Sequence, residues 1–237
     1  MSPALNRPFS KGDETRREIL DQGLRLASEL GVQGLSIGAL AGRVGMSKSG
    51  LFAHFSSKDN LQVAVIAEAS RRFVEMVVAP ALQKPRGEPR VQALLTLWVD
   101  WSKQDFMPGG CVFLSAAVEL DDRPGPARDQ LVENQRDWLE TLAQAARIAR
   151  QEGHFRADLE PAQFAFEALG AFSAYAFYTR LLQAREAEAR VRAAFERLLT
   201  DARAAPTPRP KESAPARVRA ERLPAGSKRA TKSSRRS

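Results

Sequence analysis

Two hydroxyls and an ammonium, those of Ser47, Lys48 and Ser49, follow directly on a Gly45-Met46 corner. Donors of this kind at the amide-rich start of a helix suit a phosphate oxygen or a base edge, because the helix dipole and the free N–H groups favour the same negative partner. The same five residues superficially match a nucleophile elbow. The final glycine of such an elbow is replaced by Ser49 and no strand precedes the turn, so bond-breaking chemistry at Ser47 is not expected. No glycine-rich phosphate loop follows a strand, and two widely separated histidines with the single thiol of Cys111 cannot make a four-ligand zinc site. Neither catalysis nor a metal or cofactor is expected.

The elements that position these donors are helical, since apolar residues recur with a period near 3.6 and no stretch alternates as a strand would. A first helix is predicted from about residue 13 to 30, with Ile19, Gly23, Leu26 and Leu30 on one stripe beside Leu20, Leu24 and Ala27, and Gly31 stops it. Ser36 caps a short second helix carrying Ile37, Leu40, Ala41 and Val44, which Gly45 closes; Ser47 caps a third through His54. Leu40, Ala41 and Val44 with Leu51 and Phe55 supply a shared apolar seam, and Met46 plugs the corner. Residues 36–54 thus meet the requirements of a helix-turn-helix, although compact helical bundles use similar joints. A fourth helix is expected from Lys58 to about Val78, ended by Pro80. Beyond a Pro/Gly/charge-rich break at 83–89, helices are predicted near 89–103, 110–121, 126–151, 161–184 and 185–203. The expected fold is all-α: an N-terminal arm (1–12), a three-helix DNA-binding head (13–60), an all-helical ligand-binding and dimerisation body (61–203) and a tail from residue 204.

The run Thr15-Arg16-Arg17-Glu18-Ile19-Leu20, then Gly31, Ser36-Ile37, Leu40-Ala41 and every residue from Val44 to Lys58, resembles the tetracycline-repressor-like (TetR) family over residues 13–61. The resemblance implies a homodimeric repressor whose last two helices pair into a four-helix bundle, with a ligand cavity in each body. It implies a near-palindromic double-stranded operator and release from it by a small-molecule effector. Ser47 and Lys48, followed by Ser49, fall where the family's recognition helix starts, and Lys58 falls where a helix-four lysine grips phosphate. Ser36 and Arg43 are further DNA-contact candidates on the second helix, Arg43 with a merely solvated role as its alternative. Phe52 departs from the family pattern, standing where a tyrosine hydroxyl usually bonds the DNA backbone, so that contact is lost. His54 either donates to phosphate or is a satisfied packing histidine. Gly38 offers no side chain where relatives often place a contact.

Charge alone does not argue for DNA. The chain carries 36 Lys+Arg against 28 Asp+Glu, but residues 206–237 hold ten of the former and two of the latter, which leaves 26 of each elsewhere. The net +8 therefore belongs to a Pro/Ala/Arg/Lys/Ser tail expected to be disordered and to raise affinity for DNA without reading sequence. A nucleoid-type protein that coats DNA through this tail is the alternative function. Within the body, Trp98, Trp101, Phe113, Glu119, Phe172 and Tyr175 are the candidate lining of an effector cavity, in an aromatic inventory (also Phe106, Phe164, Phe166, Phe177 and Tyr178) that is expected to be mostly core. Cys111 reads as an inert buried thiol rather than an oxidant sensor. Val191, Ala194, Phe195 and Leu198 form a stripe on the last helix, and Phe164 to Tyr178 on the helix before it is apolar nearly all round; the two suggest a symmetric dimer face, burial of one of them in its own body being the alternative. No window of roughly 18 apolar residues and no signal peptide is present, so a soluble cytoplasmic protein with no membrane partner is expected.

Overall fold

The computed structural model describes residues 11–204; the N-terminal arm up to residue 10 and the basic tail from 205 lie outside the described residues. Helices α1 (Lys11–Leu30), α2 (Ile37–Val44) and α3 (Lys48–Phe55) form the head. Each junction is set by a serine whose hydroxyl accepts a free amide of the following helix. Ser36 takes the Ala39 N–H (3.1 Å), Ser47 that of Gly50 (3.0 Å) and Ser57 that of Asn60 (3.0 Å) at the start of α4 (Lys58–Phe73). Gly45 closes α2 at φ 67°, a left-handed conformation that a side chain resists, and the Met46 N–H returns to the Ala41 carbonyl at 3.0 Å. Ile19, Leu24, Leu40, Leu51 and Phe55 are buried together with Leu61 and Val65 of α4, so the head shares its core with the helix that leads into the body.

That helix does not end at Pro80 as the sequence suggests. After Phe73 it widens into a π-helical turn (Val74–Val78), where the Ala79 N–H reaches back five residues to the Val74 carbonyl, and it continues as the short α5 (Ala79–Leu82). Pro80 sits in the first turn of α5, where its missing N–H costs least.

The body then comprises α6 (Glu88–Trp101), α7 (Val112–Leu120), α8 (Pro126–Gln151), α9 (Pro161–Arg180) and α10 (Ala187–Ala202). The 26-residue α8 packs against α4, α6, α7 and α9, and α10 packs on α9. At the centre Phe73 meets Trp138 edge-on at 4.7 Å, Trp138 meets Trp98 at 4.9 Å, and Trp98 stacks on Phe172 at 4.0 Å. Such ring pairs add about 0.5–1.5 kcal/mol each beyond simple burial. Among the described residues no helix is long and apolar enough to cross a membrane.

The two helices expected to form the dimer face differ in exposure. Val191 and Phe195, proposed as part of the dimer stripe, are buried against their own protomer, and Ala194 and Leu198 are not free either, Leu198 being half-buried against the core. The other helix of that expectation, α9, keeps an exposed apolar side, where Phe166 (68% exposed), Phe177 and Leu181 follow one side of the helix while Phe164, Phe172 and Tyr175 fill the core from the other. A helix apolar all round needs cover on both sides, and the protomer supplies only one.

Candidate DNA interface and effector cavity

Leu51 and Phe55 anchor α3 in the core, which turns Ser47, Lys48, Ser49 and Phe52 outward. The Ser47 and Ser49 hydroxyls lie 3.1 Å apart beside the first free amides of the helix. Lys48 is exposed, its side chain running next to Gly38, whose missing side chain leaves room for it: a Cβ there would come within 3.3 Å of the Lys48 Cε. Ser36 is engaged as a cap and is half-buried. Phe52 is 53% exposed, an apolar ring on the same outer surface as the donors.

The remaining candidates are engaged within the head. Arg43 is ion-paired with Glu29 of α1 (3.3 Å), and the Lys58 ammonium donates to the Gln33 carbonyl (2.9 Å). His54 is half-buried, with its ring 6.3 Å from that of Phe55; its carbonyl accepts from Arg16, whose guanidinium lies 4.9 Å over the Phe55 ring. Arg16 thus holds the C-terminal end of α3 onto α1, a role with no signal in the sequence beyond its place in the first helix.

The body contains a cavity of about 170 Å³ between α4, α6, α7 and α8. Phe73, Val74, Trp98 and Phe113 belong to its apolar wall; Ser70, Asn134, Gln135, Asp137, Trp138 and Thr141 bring polar groups to it, with Cys111 beside them. Trp98 and Phe113 are the two residues of the sequence-based lining that reach it. Trp101, Phe172 and Tyr175 are buried behind the wall, and Glu119 lies elsewhere. Burial pushes the Cys111 thiol up, against the opposing pull of the Leu114 and Phe113 amides and the Trp101 indole, so sulfur stays protonated and a poor nucleophile at neutral pH.

Glu119 instead joins the body to the head. From the last turn of α7 its carboxylate accepts the Gln33 N–H at 2.9 Å, in the turn between α1 and α2. Gly31 makes this approach possible: its φ is 79°, and a Cβ there would lie 2.1 Å from the carboxylate. Three further links converge on the same region. Gln62 donates to the Val32 carbonyl (2.7 Å), the Gly109 N–H to the Ser28 hydroxyl (3.1 Å), and Arg72 of α4 to Asp21 of α1 (2.9 Å). The helices that wall the cavity, α4 and α7, are therefore the ones that touch the head.

Residues 19–65 match the description of the bacterial regulatory proteins of the tetR family, and residues 87–195 that of the tetracyclin repressor-like C-terminal domain. Over 67 residues the chain is 37% identical to the HTH-type transcriptional repressor AcnR of Corynebacterium diphtheriae, a stretch amounting to 28% of this chain and 35% of that repressor. The match thus spans about a third of the length of the curated relatives. In fold the chain resembles a TetR transcriptional regulator from Chloroflexus aurantiacus (TM-score 0.73, 23% identity, 82% of this chain and 99% of that one). It also resembles AibR, solved in complex with isovaleryl coenzyme A and operator DNA (TM-score 0.61, 21% identity, 77% and 95%).

Proposed function

The chain belongs to the tetracycline-repressor-like (TetR) family, and from that premise we propose that it is a homodimeric transcriptional repressor, released from a near-palindromic operator by a small-molecule effector bound in the body. The observation that carries the DNA reading is the orientation of α3: one face is locked by Leu51 and Phe55, and the other offers Ser47, Lys48 and Ser49 at a helix start. Base edges are read from such a position in the major groove, while Lys58, Arg43 and His54 lie where contacts to phosphate would fix register. AibR, solved with both a ligand and operator DNA, supports a fold that couples the two. Head and body divide near residue 60, within the first turn of α4, and the cavity and the head share that helix.

The mechanism is linkage. An effector that favours the arrangement of α4 and α7 unsuited to DNA lowers operator affinity by its own preference for that arrangement, typically about 1–3 kcal/mol. The test is selection of bound fragments from a random DNA pool, followed by mobility shift with Lys48→Ala/Ser49→Ala, a pair that leaves the Ser47 cap in place. Loss of preference for the selected sequence over random DNA is the expected result. A variant that keeps the preference would remove α3 as the reading helix. Nothing in the described residues or the relatives favours a sequence-tolerant coating protein.

A further inference from the structure

The unpartnered buried polar groups of the cavity are mostly donors. Beside the Trp101 Nε1, which does not line the cavity, the described residues hold three more buried polar groups with no protein partner: the Ser70 hydroxyl, the Asn134 Nδ2 and the Trp138 Nε1. All three line the same cavity. The Asn134 amide has its oxygen occupied, accepting from Gln130 at 3.1 Å, so what it retains is donor capacity. An indole N–H can only donate, and Trp138 is 5% exposed. The Thr141 hydroxyl has already spent its proton on the Asp137 carbonyl (2.7 Å). No lysine, arginine or histidine contributes to the wall, and the one charged residue there is Asp137, which is exposed.

A ligand matched to the unpartnered groups brings an acceptor to the Asn134 and Trp138 N–H groups and the Ser70 hydroxyl, and brings no charge. A carboxylate would find no cation to replace its hydration and would approach Asp137; an ammonium would place its own donors against donors. Size narrows the class further, since a dry cavity of about 150 Å³ takes benzene and this one is slightly larger. Building on the reading of the body as an effector domain, we propose that this cavity takes a small uncharged molecule, about one ring in size, carrying a carbonyl oxygen that Ser70, Asn134 and Trp138 hold by hydrogen bonds. The aromatic wall of Phe73, Trp98 and Phe113 suits a ring, and the protonated Cys111 thiol leaves the carbonyl unattacked, so binding is reversible.

Four probes of matched size test this on the full chain by titration calorimetry or equilibrium dialysis: acetophenone, isopropylbenzene, benzoate and benzylamine. Acetophenone is expected to bind about tenfold tighter than isopropylbenzene, which has its shape without an acceptor, and both to bind tighter than the two ions. Ser70→Ala/Asn134→Leu should erase that tenfold advantage while isopropylbenzene still binds, which also shows that the variant keeps its cavity. The proposal is overturned if isopropylbenzene equals acetophenone in the natural chain, if benzoate or benzylamine binds tightest, if none of the four binds at millimolar concentration, or if the advantage survives the double substitution. Operator release is read separately. Preferential acetophenone binding that leaves the operator complex intact supports the ligand chemistry and overturns effector control, so the two failures are distinguishable.

Discussion

On the proposed reading, Lys48 and Lys58 differ in what binding DNA would ask of them. Lys48 is exposed beside Gly38, whereas Lys58 must leave the Gln33 carbonyl, 2.9 Å away, before it can grip a phosphate. If Lys48 reaches the backbone, Lys48→Ala lowers the slope of log affinity against log salt by about 0.9 for operator and random DNA alike, as measured by fluorescence anisotropy over a salt series. An unchanged slope would assign Lys48 to base contacts alone. Phe52 offers the reverse experiment. Its ring is half-exposed on the donor surface, so Phe52→Tyr adds a hydroxyl where relatives of the family place one, and a several-fold gain in affinity without a change in preferred sequence is expected from one added hydrogen bond of about 0.5–1.5 kcal/mol. Equal or weaker binding would mean that the Phe52 edge does not face the backbone. These residues were legible from the sequence because a cap, a corner glycine and an apolar seam fix the phase of a short helix. Arg16 and Glu119 were not, since their roles depend on partners 38 and 86 residues away that no local pattern announces.

At the scale of elements, α4 and α7 hold the head through charged groups that respond to acid and to substitution. Burial raises the Glu68 carboxyl, but hydrogen bonds from Arg71 and Arg72 outweigh it and hold the group below its ordinary 4.5. Arg72 in turn bridges to Asp21 at 2.9 Å and so pins α1 to α4. A carboxyl lowered in the folded state contributes stability that is present above pH 4.5 and is lost as pH falls through the folded value. Glu68→Gln is therefore expected to flatten the fall in melting temperature below about pH 5 and to leave its shape above about pH 6 unchanged; an unaltered acid limb would exclude this clamp. Glu119→Ala should leave the cavity filled as before yet reduce the effect of a bound ligand on operator affinity, because the α7 contact with Gln33 is gone. Coupling measured as unchanged by paired titrations would route it through α4 alone. The serine caps and the glycines at 31 and 45 made the head's boundaries readable in advance. The π turn at Val74–Val78 was not readable, since the apolar residues around it continue the helical pattern and Pro80 reads as a stop although it lies in the first turn of α5.

For the whole molecule the question is which surface would make the proposed dimer, and of the two helices that periodicity offered α9 is the one left exposed. A stripe of Val191 and Phe195 reads equally well as a seam to a partner or to the helix's own body, and only the packing of α10 on α9 decides for the second. What remains open to a partner is the outer side of α9, where Phe166, Phe177 and Leu181 are each more than half exposed, with the small residues Gly170 and Ser173 between them. Small residues let two helices approach closely, and isolated exposure of three large apolar side chains on one helix is a cost a monomer would not keep. The same helix carries a route to the head: Arg180 at its end donates to the Pro108 carbonyl (3.0 Å), and the next residue of that loop, Gly109, donates to Ser28 of α1. In the proposed dimer this route would fix where the two heads stand. Two α3 helices must sit about one helical turn of DNA, ~34–36 Å, apart to read the halves of a palindrome together. Phe166→Glu/Phe177→Glu places two charges in the shared face and removes two aromatic anchors, each of which can contribute about 2 kcal/mol or more to association. Sedimentation of this variant at micromolar concentration should show a monomer that melts as a folded protein, because neither side chain belongs to the core. Its affinity for a single half-site should be little changed, while its affinity for the full operator falls to near that of the half-site, since the second head no longer arrives already tethered. A variant that stays dimeric would move the interface off α9, and a monomer that binds the full operator as tightly as the natural chain would show that a single head suffices.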